Sequence, residues 1–196
     1  MLTFGILATL GLLIALAVAL YNGLVRSRIR VREAWSTIEV QLRRRASLLP
    51  NLMETVRAYA AHERGTFEAV TRARGALEQA GGAAESAQAN DSMSRALGHL
   101  FAVAESYPEL RASANFKELQ DELSDVEEKI AYARQFYNRN VLDFNARIEV
   151  FPGVLIARAF GFLPAEFFEA DEEGRGEVKL DFDRGRVASA PPASTP

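Results

Sequence analysis

The chain has no cysteine. That excludes a disulfide framework, a thiolate nucleophile, a cysteine-based metal site and a lipoprotein anchor, while leaving the redox compartment open. Histidine is scarce as well, with only His62 and His99. Lysine occurs at Lys117, Lys129 and Lys179 alone, so the basic charge is almost all arginine, a matter of composition rather than of function. A net charge of −3 over 196 residues speaks against a general nucleic-acid binder. The sharpest absence is local: residues 1–25 carry no charged side chain.

These scarcities close off most catalytic chemistry. His62-Glu63 begins a zincin-like motif, but position 66 is Thr66, so the second histidine is missing. His99 has Ala96 three residues before it, and no Glu-x-x-His pair of a di-iron bundle exists. No glycine-rich phosphate loop follows a strand. Each histidine reads as a surface or satisfied bundle residue. The expectation is therefore no catalytic residue, no cofactor-binding residue and no metal ligand, and a protein that is not an enzyme.

What is present begins with the uncharged run. Residues 4–20, FGILATLGLLIALAVAL, reach with their flanks about 20 apolar residues, the length that crosses ~30 Å of hydrocarbon as a helix. A cleaved signal peptide is the competing reading, because Ala17-Val18-Ala19 has the small-x-small form of a cleavage site. The run lacks a basic n-region and continues past that point, which favours an uncleaved anchor. Arg26, Arg28, Arg30, Arg32, Arg43, Arg44 and Arg45 follow it, against Glu33 and Glu39. The positive-inside rule then places the N-terminus outside and the helical domain in the cytoplasm, at the inner or plasma membrane. The same arginines read as a solvated helix face, which could meet anionic headgroups.

The chain is organised around residues 116–151. Phe116, Leu119, Leu123, Val126, Ile130, Ala133, Tyr137, Val141, Phe144, Ile148 and Phe151 recur at steps of three and four, with one slip near Asn140. Such a helix spans about 55 Å and needs other long helices to cover its stripe. Asn138, Asn140 and Asn145 border the stripe, and buried asparagine at a seam fixes register.

The first arm supplies a partner, with Val31, Trp35, Ile38, Leu42, Leu49, Leu52, Val56 and Tyr59 in phase while position 45 is Arg45. Pro50 predicts a kink or two near-coaxial helices rather than a reversal. The arm is expected to continue through His62, Phe67, Val70 and Leu77 to Gly81-Gly82. Residues 81–92 read as a polar connection, with Asp91 or Ser92 capping a shorter helix through Met93, Leu97, Leu100, Val103 and Ala104. Tyr107-Pro108 marks an end or bend, Ser113 or Asn115 caps the long helix, and Pro152-Gly153 ends it. Residues 154–168 contain Phe160, Phe162, Phe167 and Phe168. They read as a short helix capping the bundle, or as a docking segment for a partner or the membrane interface. Residues 169–196 are acidic and Gly/Pro-rich, a flexible tail in which 177–182, EVKLDF, is the one strand-like or docking-like element.

Several blocks together carry a resemblance. They are VREAWSTIEVQLRRRASLLPNLMETVRAYAAHE at 31–63, VTRAR at 70–74, LFAVAESYPELRASANFKELQDEL at 100–123 and IAYARQFYNRNV at 130–141. The chain closely resembles the LemA family over about residues 20–168. The resemblance implies a bacterial membrane-anchored helical protein with no catalytic residues to carry over. Its signature polar positions here are Asn51, Glu54, Glu63, Arg74, Asn115, Arg134, Asn138 and Asn145, which read as packing residues that fix register or, alternatively, as a ligand site.

The fold expected is all-α, an antiparallel bundle of three to four long helices on an N-terminal transmembrane helix. Its domains are an anchor at 1–25, a LemA-like bundle at 26–168 and the tail at 169–196. The function expected is a non-enzymatic membrane scaffold or adaptor, with an accessory subunit of a membrane enzyme, such as a membrane protease, as the alternative. Partners expected are the lipid bilayer in a single pass, other membrane proteins and a second copy of the chain in a homo-oligomer, with no nucleic acid.

Overall fold

The computed structural model describes residues 1–169, which are helical in all their regular structure. Helix α1 (Leu2–Arg57) is followed by α2 (Arg64–Gln79), α3 (Ala83–Glu105), the short α4 (Pro108–Ala112), α5 (Ala114–Glu149) and α6 (Gly153–Phe160). The fold is all-α, as the sequence predicts. The tail with its EVKLDF element lies outside the described residues, from position 170 onward.

The axis of the molecule is the pairing of α1 with α5. Ten stripe residues of α5, from Phe116 to Ile148, are buried. The facing stripe of α1 is Leu24, Ser27, Val31, Ala34, Ile38, Leu42, Arg45, Leu49, Leu52 and Val56, again at steps of three and four. The last expected member of the α5 stripe, Phe151, is instead 79% exposed. The helix stops two residues earlier at Glu149, and the chain turns through Pro152 into α6. Glycine is required at the start of α6, because a Cβ on Gly153 would run into the carbonyl oxygen of Arg147.

Helix α1 is 56 residues long, about 84 Å at 1.5 Å per residue. It remains one helix through Pro50, whose exposed ring is flanked by Leu49 and Leu52, both wholly buried. The apolar run and the bundle arm are therefore parts of a single helix. Among the described residues this helix is the one long and apolar enough to cross a membrane. Residues 1–16 are all exposed.

Two expectations about the middle of the chain are corrected. The first arm does not continue to Gly81-Gly82. It ends at Arg57, and residues 58–63 reverse the chain, so that the Arg57 guanidinium lies over the Phe67 ring, 5.1 Å from its centroid. No glycine or proline marks this corner. It is held by the Ala60 N–H bonded to the Val56 carbonyl at 2.9 Å and by burial of Ala60. Residues 81–92 are not a connection either. Helix α3 begins at Ala83, with Gly82 at its N-cap, and Ala83, Ser86, Ala87, Ala89 and Asn90 are buried. Alanine is the best helix former, and its small side chain permits close packing, so a stretch that reads as a small-residue loop forms the start of a core helix. Ser113 takes the N-cap position of α5, although its side chain makes no capping bond.

Candidate functional site

The interior falls into two apolar clusters. The far one gathers Leu49 to Ala60 with Phe67, Val70, Met93, Leu100, Phe116 and Leu123. The near one gathers Leu24 to Ala46 with Val126 to Ile148, Ala157, Phe162 and Phe168. Two polar constellations accompany them, and both are built on the long helices.

The first is centred on Arg45, which lies close to the junction of the clusters and is 2% exposed. Its Nη2 is 2.6 Å from Glu127 Oε2 on α5 and donates to Ser94 Oγ on α3 at 3.0 Å. Its Nη1 donates to the Asn90 Oδ1 at 2.5 Å. Three helices are thus tied to one guanidinium. Arg45 Nε and, one turn away, Gln41 Oε1 are buried without a protein partner, a donor and an acceptor. Burial lowers the Arg45 pKa from its usual value, and the charges of Glu127 and Asp91 oppose that shift. Arg45 is therefore not on the solvated face where the sequence reading put it with Arg43 and Arg44. The signal was in the spacing: Ile38, Leu42, Arg45, Leu49 and Leu52 are in phase.

The second constellation is a clamp. After Gly161, which ends α6 in the left-handed region at φ 68°, residues 162–168 run extended along α5. Asn145 Oδ1 accepts the Ala165 N–H at 2.8 Å, and its Nδ2 donates to the Ala165 carbonyl at 2.9 Å. Asn138 does the same to Phe168, at 2.9 and 3.3 Å. Between them the Tyr137 hydroxyl donates to the Glu166 carbonyl at 2.8 Å. The spacing explains the match. Seven residues of helix advance about 10.5 Å, and three residues of extended chain cover about 10 Å. Each carboxamide offers one donor and one acceptor, which satisfies both backbone groups of one strap residue. Burial pushes the Tyr137 pKa up to about 12, with Glu166 adding to the shift.

Aromatic rings seal the clamp. Trp35 lies 5.5 Å from Tyr137 and 6.1 Å from Phe168, and Phe162 lies 6.4 Å from Phe144 under the Arg28 guanidinium. Of the four phenylalanines expected in this segment, Phe162 and Phe168 are buried, Phe167 is half-buried and Phe160 is 62% exposed.

The other signature positions are not brought together. Asn51, Glu54 and Arg134 are exposed, and Glu63 is the N-cap of α2. Arg74 pairs with Glu78 at 2.9 Å, and Asn115 donates to Thr55 Oγ1 at 3.1 Å. Asn140 donates to the Phe136 carbonyl at 2.8 Å within its own helix. Both histidines are exposed. No group of three or more His, Asp or Glu able to hold a metal exists among the described residues. A surface pocket of about 280 Å³ between α1 and the α2–α3 turn is lined by Trp35, Leu42, Leu77, Glu39, Arg43 and Ser86, with no nucleophile paired to a base.

Magnetosome protein MamQ of Magnetospirillum gryphiswaldense is 28% identical over 180 residues, 79% of this chain and 66% of that protein. Magnetosome protein MamQ 2 of Paramagnetospirillum magneticum is 29% identical over the same shares. The chain thus spans 66% of the length of these relatives. Protein LemA of Metamycoplasma hominis is 27% identical over 174 residues, 87% of this chain and 78% of that protein. The LemA family model matches residues 34–182, a span that takes in Arg45, the α2–α3 hairpin, the whole of α5 and the asparagine clamp. On that match the chain belongs to the LemA family.

Proposed function

We propose that the protein is a non-enzymatic scaffold that holds a helical bundle at a fixed attitude to the membrane and offers its surfaces to other membrane proteins. The observation that carries this reading is the continuity of α1 from its apolar run into the bundle core. A rigid helix transmits position, whereas a flexible linker would only tether. The buried Arg45 and Tyr137 and the half-buried Asn138 and Asn145 fit the same role, because they join helices or pin backbone. In this reading residues 1–25 serve as a single-pass anchor, and the excess of arginine after them supports a cytoplasmic bundle by the positive-inside rule. Domain limits at 1–25, 26–168 and 169–196 belong to this reading.

Photo-crosslinking from exposed bundle positions tests it, with Val40 and Tyr132 replaced by a crosslinking amino acid in intact cells. A scaffold gives several membrane neighbours or copies of itself. Capture of one stoichiometric membrane enzyme would replace this reading with that of an accessory subunit. For orientation, Ala190→Cys should be shielded from an impermeant thiol reagent until the cells are opened. Labelling in intact cells would reverse it.

A further inference from the structure

The end of the bundle nearest the apolar run carries apolar surface that no described part of the chain covers. Its level along α1 follows from the register of the two long helices. Asp143 Oδ2 accepts from Ser27 Oγ at 3.3 Å and from Arg30 at 3.2 Å. The helices are antiparallel, so six residues beyond Asp143 on α5 come level with six residues before Ser27 on α1, about 9 Å along each. Glu149 therefore lies level with Tyr21, just past the apolar run of residues 4–20. The α5–α6 turn and α6 sit at the same depth, since the Phe160 and Phe162 rings lie 4.8 and 5.9 Å from the Tyr21 ring.

At this level large apolar side chains face outward. Phe151 and Leu163 are each 79% exposed, and Val150, Leu155 and Phe160 are about 60% exposed. Helix α6 turns Gly153 and Ala157 inward and leaves Leu155 and Phe160 outside. Exposed Arg26, Arg147 and Arg158 border the patch. The carboxylates nearby are Asp143, already paired with Arg30 and Arg147, and Glu149.

We propose that α6 and the turn at 150–153 form a second membrane contact, lying in the interfacial layer of the bilayer that α1 enters. An eight-residue helix is too short to span. A short helix with an apolar outer face and arginine at its edge suits the boundary between headgroups and acyl chains. The occupant is an anionic phospholipid surface: the side chains of Val150, Phe151, Leu155 and Phe160 enter the acyl boundary, and the arginines meet phosphates. Two contacts then fix the tilt of the bundle, which one helix alone would not. The proposal rests on the reading of residues 1–25 as a span, and its test separates the two.

Because the chain has no cysteine, a single introduced cysteine is unique. Full-length Leu155→Cys, Phe151→Cys, Val40→Cys and Leu10→Cys are labelled with an environment-sensitive fluorophore and reconstituted into vesicles of phosphatidylcholine and phosphatidylglycerol. Nitroxide-bearing lipids then report depth. Probes at 151 and 155 should be quenched severalfold more than the probe at 40, and best by a shallow nitroxide. The probe at 10 should be quenched best by a deep one. If 151 and 155 behave like 40 while 10 is deeply quenched, the span stands and the α6 contact is overturned. If 10 is unquenched, the span fails and the proposal falls with it, because a second contact presupposes the first. Shielding of 155 from aqueous iodide without lipid quenching would mean that a protein surface, such as a second copy, covers the patch, and would overturn the proposal. The probe sites at 151 and 155 are both exposed, so folding is checked rather than risked, by the far-UV spectrum of each labelled chain.

Discussion

The far and near halves of the bundle bury the same kind of stripe by different means. In the far half four long helices meet, with Leu110 of the short α4 beside them. Leu49, Leu52 and Val56 of α1, Val70 of α2, Met93 and Leu100 of α3, and Leu119 and Leu123 of α5 close a wholly apolar core. In the near half the α2–α3 turn comes only to the level of Trp35 and Glu39. Below it α1 and α5 run as a pair, and their groove is closed by α6 and the extended strap. A helix satisfies its own backbone, so side chains alone cover a helix–helix core. An extended strap brings unsatisfied N–H and C=O groups, which must find partners when buried. That is why the asparagines lie in the near half. The stripe specifies that something apolar covers it, and the polar residues beside it specify what.

The strongest break of this comparison is removal of the strap. A chain ending at Gly161 should be less stable than one ending at Glu169 by about 3–6 kcal/mol, the contribution of two buried phenylalanine side chains, Phe162 and Phe168. Loss should be confined to one half. Hydrogen exchange in detergent micelles should show amides at 126–148 losing protection while those at 93–104 keep theirs. Equal loss in both halves would show that the two clusters behave as one.

Next in size is the guanidinium at the junction. Arg45→Ala should cost about 3 kcal/mol, at the lower end for a broken buried pair because Glu127 is half-exposed and can rehydrate. Arg45→Met restores the apolar stem and should recover about half of that loss. Full recovery by methionine, measured by denaturant midpoint, would mean that the charge contributes nothing and that packing alone joins the halves.

The clamp gives a smaller and more local effect. Asn145→Ala or Asn138→Ala should each cost about 1–2 kcal/mol, because each leaves a strap N–H and C=O without a partner. Asn140→Ala is the internal comparison. Its amide bonds only a carbonyl of its own helix, so its loss should stay within about 0.5 kcal/mol. Equal effects at all three positions would reduce the clamp to ordinary helix surface.

Much of this architecture is legible in the residues, and the misses have physical causes. The α5 stripe is readable because ten residues recur at steps of three and four with a single slip. Its last expected member fails because Pro152 and the crowded Gly153 end the helix first. The corner at 58–63 is silent, since AYAAHE favours helix and only tertiary burial of Ala60 turns it. The α3 start is hidden by its alanines and serines, which suit a loop or a tightly packed helix equally. Arg45 was within reach, because its phase lies on the stripe and only its charge suggested the surface. Asn138 and Asn145 stand out as polar residues seven apart beside the seam. Their partner does not, because residues 162–168 pair through backbone atoms and carry no periodic signature.

The smallest effect sharpens the comparison through pH. Asp143 links the near half across α1 and α5, bonding Arg147 and Arg30 and accepting from Ser27. Burial acts to raise its pKa, but the hydrogen bonds and the Arg147 charge outweigh it, and the net shift is downward. A carboxylate whose folded pKa is depressed stabilises the fold above its unfolded value, about 3.9, and loses that contribution as pH falls through the lower folded value. The side chain is 44% exposed, so solvent screening limits the effect to about 0.5 kcal/mol. Asp143→Asn should therefore lower stability slightly at neutral pH, and the gap from the parent chain should close as pH falls through the depressed folded value. Added salt should narrow the gap at neutral pH as well. A gap that persists unchanged at low pH would assign the effect to hydrogen-bond geometry, which asparagine alters at any pH, and not to the charge that joins the two long helices.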